Sequence, residues 1–415
     1  MSSNTNSITD RRSFLAQSAG SIASLALLPS LLHAKIDSAE VLNVAVVGLG
    51  KQSGVLLAEL AKIENVKVVA LCDTDDSRLQ RGLRRVQNVD GFADHKSMLD
   101  KRKDIGAVVI ATPTHMHKDI AIDCIAAGKH VYCEAPLAHT VADAKAIGAA
   151  AAASKIVFAV GHEGRSNPIY KLARTFYKGD AIRELIGITS QWNQKNSWKI
   201  PSDSPEREKR NNWRLDEAVS LGLAGECGSH QFDVMHWYTG KVPVKARASG
   251  STRLWTDGRK VHDTIHADLI YADGVSAGYS ATLGSSYGGK FETFHGSNSA
   301  IKLAWTAGWM FKESDAPTQG WEVYANRQQF HNDEGITLIA DATKLAAQGK
   351  LKDGVGIPNP TAYYSLTDFA KSVLEGKPAI CTVSDGIAAV AISAAIVKSI
   401  ATGNEVAISA DDLKV

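Results

Sequence analysis

Between Val41 and Pro136 the chain alternates short apolar runs with stretches of helical periodicity. VLNVAVV passes through Gly48-Leu49-Gly50 into KQSGVLLAEL, VKVVALC ends on Asp73, and IGAVVIA and KHVYC are joined by a helical HKDIAIDCIAAG. Strands that are apolar throughout and separated by helices predict a parallel sheet covered on both faces. From about His162 the pattern changes. ELIGITSQWNQ, VKARASGSTRLW, HDTIHADLIYADGVSAGYSATLG and KFETFHGSNSAIKLAW alternate apolar and polar positions, and Ala272-Asp273-Gly274 marks a hairpin turn. Amphipathic strands leave one sheet face for solvent or for another subunit, so a homo-oligomer is expected. Near the C-terminus two helical patterns, split at Gly376-Lys377-Pro378, are expected to pack back on the first domain with their apolar faces in the core.

Ahead of these elements, TDRRSFLAQSAGSIASLALLPSLLHAK sets Arg11 and Arg12 before a weakly apolar run ending in Leu32-His33-Ala34. It reads as a twin-arginine (Tat) signal over residues 1–34, which predicts export to the periplasm by the Tat machinery. That route carries folded proteins, so a tightly bound cofactor can be loaded before export. The 415 residues suit two domains, and a formal charge of +2 without basic blocks excludes a nucleic-acid partner. Five cysteines, an odd number with no C-x-x-C pair, read as buried thiols.

The first strand, tight turn and helix form a dinucleotide-binding unit. Gly48 permits the turn, Gly50 lets the backbone approach a pyrophosphate, and the amides at Lys51 and Gln52 open the helix toward the anion. Asp73, ending the second strand, would accept the ribose hydroxyls of NAD and repel the 2′-phosphate of NADP, although Arg78 and Arg81 follow closely. Thr112, Pro113, His117 and Glu134, at or just beyond the later strand ends, should border the same crevice. His115 and His117 lack a third ligand at a convincing spacing, and no metal is expected there.

Taken in order, VVGLG, LCDTD, ATPTHMH, AAGKHVYCEAPLA, AVGHEGRSNP and GECGSHQFDVMHW resemble the Gfo/Idh/MocA family of sugar-related oxidoreductases, from about Val41 nearly to the C-terminus. The resemblance implies an α/β fold: a Rossmann dinucleotide-binding domain, 41–161 here, plus a C-terminal α/β domain, 162–415, with an open, mostly antiparallel sheet. It also implies oxidation or reduction of a ring hydroxyl of a carbohydrate with a nicotinamide cofactor. The family's Asp-x-Gly-x-His falls on Glu226 and His230. Four residues apart on a helical stretch, the two side chains share a face; His230 would move the hydroxyl proton while Glu226 orients the imidazole or binds a neighbouring hydroxyl.

The family's Glu-Lys-Pro falls on Glu134-Ala135-Pro136, so the lysine expected to hold the reacting hydroxyl is missing. Three readings stay open. His162 or Glu163 replaces it in a dehydrogenase; or the protein is a redox-neutral NAD-dependent glycosidase, which oxidises, eliminates, adds water and reduces back; or it binds sugar or nucleotide without catalysis. Arg165 matches a recurrent arginine of the family and serves substrate or the interdomain joint, and Asp233 continues the His230 helix. In the long polar stretch before Glu226, Trp213 and Arg214 could stack on and hydrogen-bond a sugar, while the charge run SPEREKRNN reads as a solvated loop. His162 and Glu163 with His230 and Cys227 follow no family metal pattern, and no metal is expected.

Overall fold

The computed structural model describes residues 40–317, 331–332, 335–340, 345 and 347–415. The twin-arginine segment lies outside them. Of residues 341–354, the described part holds a 3-10 turn at Leu351–Gly354; everything below concerns residues 40–340 and 355–415.

The Val-, Ala- and Ile-rich runs form a six-stranded parallel sheet. Its strands are β1 (Leu42–Val47), β2 (Val66–Cys72), β3 (Asp90–Phe92), β4 (Ala107–Ile110), β5 (His130–Cys133) and β6 (Phe158–Val160), in the order β3-β2-β1-β4-β5-β6. Helices α1 (Lys51–Leu60), α2 (Asp76–Arg85), α3 (His95–Lys101), α4 (His117–Ala126) and α5 (Val141–Ala152) connect them. Leu56 and Leu60 of α1 and Ala144 and Ile147 of α5 are buried, and β4 is buried at every residue. Strand order reverses between β1 and β4, the place where such sheets open a crevice for a nucleotide.

The second domain begins with α6 (Pro168–Lys178) and a ten-stranded sheet. Strands β7 (Leu185–Asn193), β8 (Lys245–Ser251), β9 (Thr264–Ile270), β10 (Ser276–Thr282), β11 (Lys290–Gly296), β12 (Ser299–Leu303), β13 (Gly308–Lys312), β14 (His331–Asn332), β15 (Gly335–Thr337) and β16 (Val406–Ala407) run in the order β14-β15-β13-β12-β11-β7-β10-β9-β8-β16. Only the β7–β10 pair is parallel. The predicted hairpin joins β9 to β10, with Gly274 at φ +88° supplying the turn.

Between β7 and β8 lie α7 (Pro205–Asn211), a π turn at Ala224–Gly228 and α8 (Ser229–Thr239). Phe232 and Tyr238 of α8, Ile169 and Tyr170 of α6, and Phe294 of β11 share one core. After α9 (Thr361–Leu374) and α10 (Val383–Thr402), the chain ends in β16 and α11 (Ala410–Leu413). Leu366 and Phe369 of α9 join the core of α1, and the Tyr132 hydroxyl meets Ser365 Oγ at 3.1 Å. Ile387 and Val390 of α10 pack with Leu137 and Ile147 of the first domain, whereas Ile392 and Ile396 pack with the second sheet. This long apolar helix thereby stitches the two domains.

Candidate active site

The nucleotide end of the crevice is built by the β1–α1 turn. Gly48 has φ +91°, and a Cβ there would stand 2.7 Å from the Ala111 carbonyl and the Thr112 amide, so only glycine lets the turn press against the end of β4. Gly50 precedes α1 with no side-chain cap, and a Cβ on it would meet nothing within 4 Å. The opening amides of α1 thus face open space, as a pyrophosphate requires. The Asp73 carboxylate accepts the Leu49 amide at 2.7 Å and the Asp75 amide at 2.8 Å, which locks the turn while lone pairs remain for ribose hydroxyls. Thr112 Oγ1 is buried without a partner among the described residues. Exposed Lys51 starts α1, and Pro113 precedes the 3-10 turn Thr114–Met116. This set fits a dinucleotide.

Over that end the second domain reaches across. Arg210 pairs with Asp75 at 2.7 Å, Arg207 donates to Ser77 Oγ at 2.8 Å, and Arg78 donates to Asn211 Oδ1 at 2.5 Å. SPEREKRNN is therefore a docked helix rather than a solvated loop. Ser204 caps it, Pro205 opens it, Glu206 and Glu208 lie in its first turn, and Lys209 and Arg210 lie in its last, the dipole ends that suit them.

At the reaction end, Glu134 leaves β5 and accepts from Gln52 Nε2 at 3.0 Å. Burial and the adjacent Glu163 carboxylate push its carboxyl up to about 8. Glu163 is itself raised by burial and accepts a hydrogen bond from Thr361. The folded protein therefore retains a proton on Glu134 that the unfolded chain releases above the ordinary carboxylate value of 4.5. The contribution of Glu134 to the stability of the cofactor-free protein should fall as pH rises between about 4.5 and about 8, against the opposite trend of the buried histidines His117, His162 and His230, whose imidazoles are held below their usual range. The urea midpoint of the wild-type protein relative to Glu134→Gln should therefore decline across that window.

His230 lies on the first turn of α8. Its ring stacks on Trp192 at 5.8 Å, meets Trp305 edge-on at 5.8 Å and His162 edge-on at 5.5 Å. Nδ1 of His230 has no hydrogen-bond partner among the described residues. Burial, then the neighbouring His162 and Lys290, hold this imidazole down at about 3, so it is neutral at physiological pH. Trp305 has φ +62°, an uncommon conformation for a bulky residue, and its buried Nε1 has no hydrogen-bond partner among the described residues. Lys290 Nζ sits 3.8 Å from the Trp192 ring centroid and 5.6 Å from that of Trp305. His230, Trp192 and Trp305 pack on one another, and with two unpartnered nitrogens and the Lys290 ammonium they form an aromatic and polar bay suited to a hydroxylated ring.

Two family models cover most of the chain: the NAD-binding Rossmann fold of the Gfo/Idh/MocA oxidoreductases matches residues 42–162, and their C-terminal α/β domain matches residues 196–408. The chain belongs to the Gfo/Idh/MocA oxidoreductase family. Its first domain is thus an NAD-binding domain. Levoglucosan dehydrogenase of Pseudarthrobacter phenanthrenivorans is 26% identical over 345 residues, spanning 77% of this chain and 83% of the relative. Inositol 2-dehydrogenase of Pseudarthrobacter chlorophenolicus is 25% identical over 253 residues, 60% of this chain and 69% of the relative. The solved structure of a levoglucosan dehydrogenase in complex with NADH and levoglucosan superposes with a TM-score of 0.71 at 23% identity, covering 89% of this chain and 100% of that one.

Against the family pattern, several residues take places that spacing did not indicate. Glu226 does not touch the His230 imidazole: it accepts from Thr114 Oγ1 at 2.9 Å and pairs with Arg214 Nε at 2.9 Å, tying the β4 loop to the second domain. Trp213 packs edge-on against His115 at 5.9 Å, with the Arg214 guanidinium 4.5 Å from the Trp213 centroid. These two residues build the domain contact. His117, expected to border the cofactor crevice, is 1% exposed, and its ring lies between the Pro136 carbonyl at 3.1 Å and the Thr112 carbonyl at 3.0 Å, so it positions the crevice loops from behind.

Of the two roles left open for Arg165, the geometry places it at the joint. Its Nε and Nη2 reach both oxygens of Asp233 at 2.8–3.0 Å and its Nη2 reaches Asp385 at 2.8 Å. Asp233 is 1% exposed and has no face open to a sugar. His162, also 1% exposed, sits with Nδ1 3.6 Å from Cys381 Sγ and meets the His230 ring edge-on, while its Nε2 has no hydrogen-bond partner among the described residues. His162, Asp233 and Cys381 lie close enough to share a metal. The cation already there is Arg165, and burial keeps the Cys381 thiol well above its usual range and protonated.

Sequence reasoning missed Trp305 and Lys290. Phe291 and Phe294 fall on opposite faces of the β11 strand K-F-E-T-F-H, so alternation there does not say that Lys290 points inward.

Proposed function

We propose that the protein oxidises a ring hydroxyl of a sugar or sugar derivative with NAD. The observation that carries this reading is the His230 bay, where a neutral imidazole with an unpartnered nitrogen stacks on Trp192 and meets Trp305 edge-on. When bound, the nicotinamide supplies the hydride acceptor. His230 accepts the hydroxyl proton, Trp192 and Trp305 receive the apolar face of the ring, and Trp305 Nε1 donates to a hydroxyl. Relatives named for levoglucosan and inositol act on hydroxylated rings, which agrees with this chemistry. The reading is tested by following NADH formation and aglycone release together, with free sugars, anhydrosugars, cyclitols and aryl glycosides. Steady NADH formation with a free ring supports it.

The redox-neutral glycosidase reading rests on Ala135 and on the paired carboxyls. Glu134 holds a proton up to about pH 8 beside Glu163, an arrangement suited to protonating a leaving oxygen. Aglycone release without accumulating NADH would favour it.

Retention of the cofactor is part of the proposal, supported by the Arg207, Arg210 and Asn211 contacts over the nucleotide end. Export through the twin-arginine route, to the periplasm, rests on Arg11, Arg12 and the apolar run after them. Self-association is supported by the outer face of the second sheet, where Phe311 is 51% exposed and Phe291 and Trp309 are partly exposed beside Lys302.

A further inference from the structure

We propose that Lys290, delivered by β11 of the second domain, is the ammonium that holds the reacting hydroxyl, the role that in the family pattern belongs to position 135. The inference rests on the oxidoreductase reading above and assigns its missing group.

The placement follows from register. Strand β11 runs antiparallel to β7, and Lys290 stands directly opposite Trp192. Cross-strand partners on one face have Cβ atoms about 5 Å apart, so the lysine stem lies along the indole and Nζ comes to rest over the ring at 3.8 Å. Lys290, Glu292 and Phe294 share the inner face of β11, where Glu292 and Phe294 are fully buried. A lysine aimed into a core is costly unless it is paired or used. Among the described residues no carboxylate oxygen lies within ion-pair distance of Nζ. What surrounds it is the reaction end: the rings that bracket His230, with Glu163, Cys227 and Glu292 near enough to favour its charge.

Lys290 and Ala135 are linked through the carboxyls. The Ala135 amide donates to Glu134 Oε2 at 3.2 Å, Glu134 feels the Glu163 charge, and Glu163 feels that of Lys290. A lysine at 135 and the Lys290 ammonium would thus reach the reaction end from opposite domains, each beside one carboxyl of this pair. Burial lowers the Lys290 ammonium below the usual lysine range, which eases its exchange of a proton. In the reaction the carbinol C–H and O–H bonds break and C=O forms; the hydride passes to the oxidised nicotinamide and the proton to His230. The Lys290 ammonium donates a hydrogen bond to the oxygen throughout and stabilises its developing charge.

Two readouts test this. The first needs no turnover: the His230 ring is titrated by NMR in cofactor-free protein. Around it lie His162, Lys290 and Asp233, and of these only Lys290 changes in Lys290→Met. The His230 pKa should rise in that variant; an unchanged value would overturn the placement. The second uses whichever sugar the wild-type protein oxidises. Lys290→Met should lower kcat by roughly 100-fold or more with a much smaller change in KM. Adding Ala135→Lys to that variant should recover at least roughly 10-fold, since the lysine returns from the other side. A normal kcat in Lys290→Met, a loss confined to KM, or no recovery in the double variant would overturn the role. If the wild-type protein oxidises no sugar, the functional reading fails, and the titration alone then decides whether Lys290 occupies the bay.

Discussion

Replacing His230 by alanine is expected to lower kcat by roughly 100- to 10,000-fold, the range that one positioned acid–base group supplies, or about 3 to 5 kcal/mol of barrier. NAD affinity should stay within about 3-fold, because the Gly48 turn, the open start of α1 and Asp73 are untouched. Rapid-mixing kinetics with the oxidised sugar, beside fluorescence titration with NADH, measure both quantities. The variant keeps Trp192 and Trp305, so KM for a sugar held by ring stacking should move little. A kcat within a few-fold of wild type would remove His230 from the proton-transfer role and shift attention to Lys290 or to Glu163. An equal loss of NAD affinity would show that the imidazole shapes the nucleotide crevice instead.

The largest effect on stability is expected at Arg165. Its guanidinium bridges Asp233, which is 1% exposed, and Asp385 at the start of α10, so the three residues bind the β6–α6 segment, α8 and α10 together. Arg165→Met should destabilise the protein by about 3 to 5 kcal/mol, chiefly because the Asp233 carboxyl is left buried without its cation. Burial already raises that carboxyl, and loss of Arg165, which holds it down, should raise it further and favour its protonated form. The lost stability should therefore be smaller in mildly acidic buffer. Urea denaturation across a pH series measures it. Arg165→Met/Asp233→Leu should recover much of the loss, since removing both charges leaves neither buried unpaired. A loss under about 1 kcal/mol in the single variant would mean that Asp233 is not held by this pair alone.

The first domain was legible because a parallel sheet covered on both faces reads as uninterrupted Val, Ala and Ile. Gly48 then marks where the chain must turn against β4, and Asp73 where β2 ends. The hairpin at Ala272-Asp273-Gly274 was legible for the same local reason. What escaped were features fixed by register and by contact between domains. Glu226 and His230 are neighbours in spacing, yet Glu226 is drawn to Arg214 and, across the joint, to Thr114. Arg165 and Asp233 carry the charges of a ligand site, but they lie 68 positions apart and complete each other in the core. The run SPEREKRNN was read as a solvated loop although Ser204 and Pro205 carry the start of helix α7, and its docking on Asp75 depends on a partner more than 100 positions away. Lys290 is the clearest case. A lysine beside two phenylalanines gives no sign of which way it faces until β11 is paired with β7 and Trp192 stands opposite.

The central claim is that a carbon-bound hydrogen of a carbohydrate ring passes to NAD in the bay formed by His230, Trp192 and Trp305. The most direct measurement is a single turnover with a sugar deuterated at its ring carbons, quenched by acid-free denaturation, with the released nucleotide weighed by mass spectrometry. The account predicts NADH heavier by one deuterium in the wild-type protein when the quench comes before any return of the hydride, and unlabelled NAD in His230→Ala. Unlabelled nucleotide in the wild-type protein, with every ring carbon deuterated and the sugar shown to bind, would contradict it.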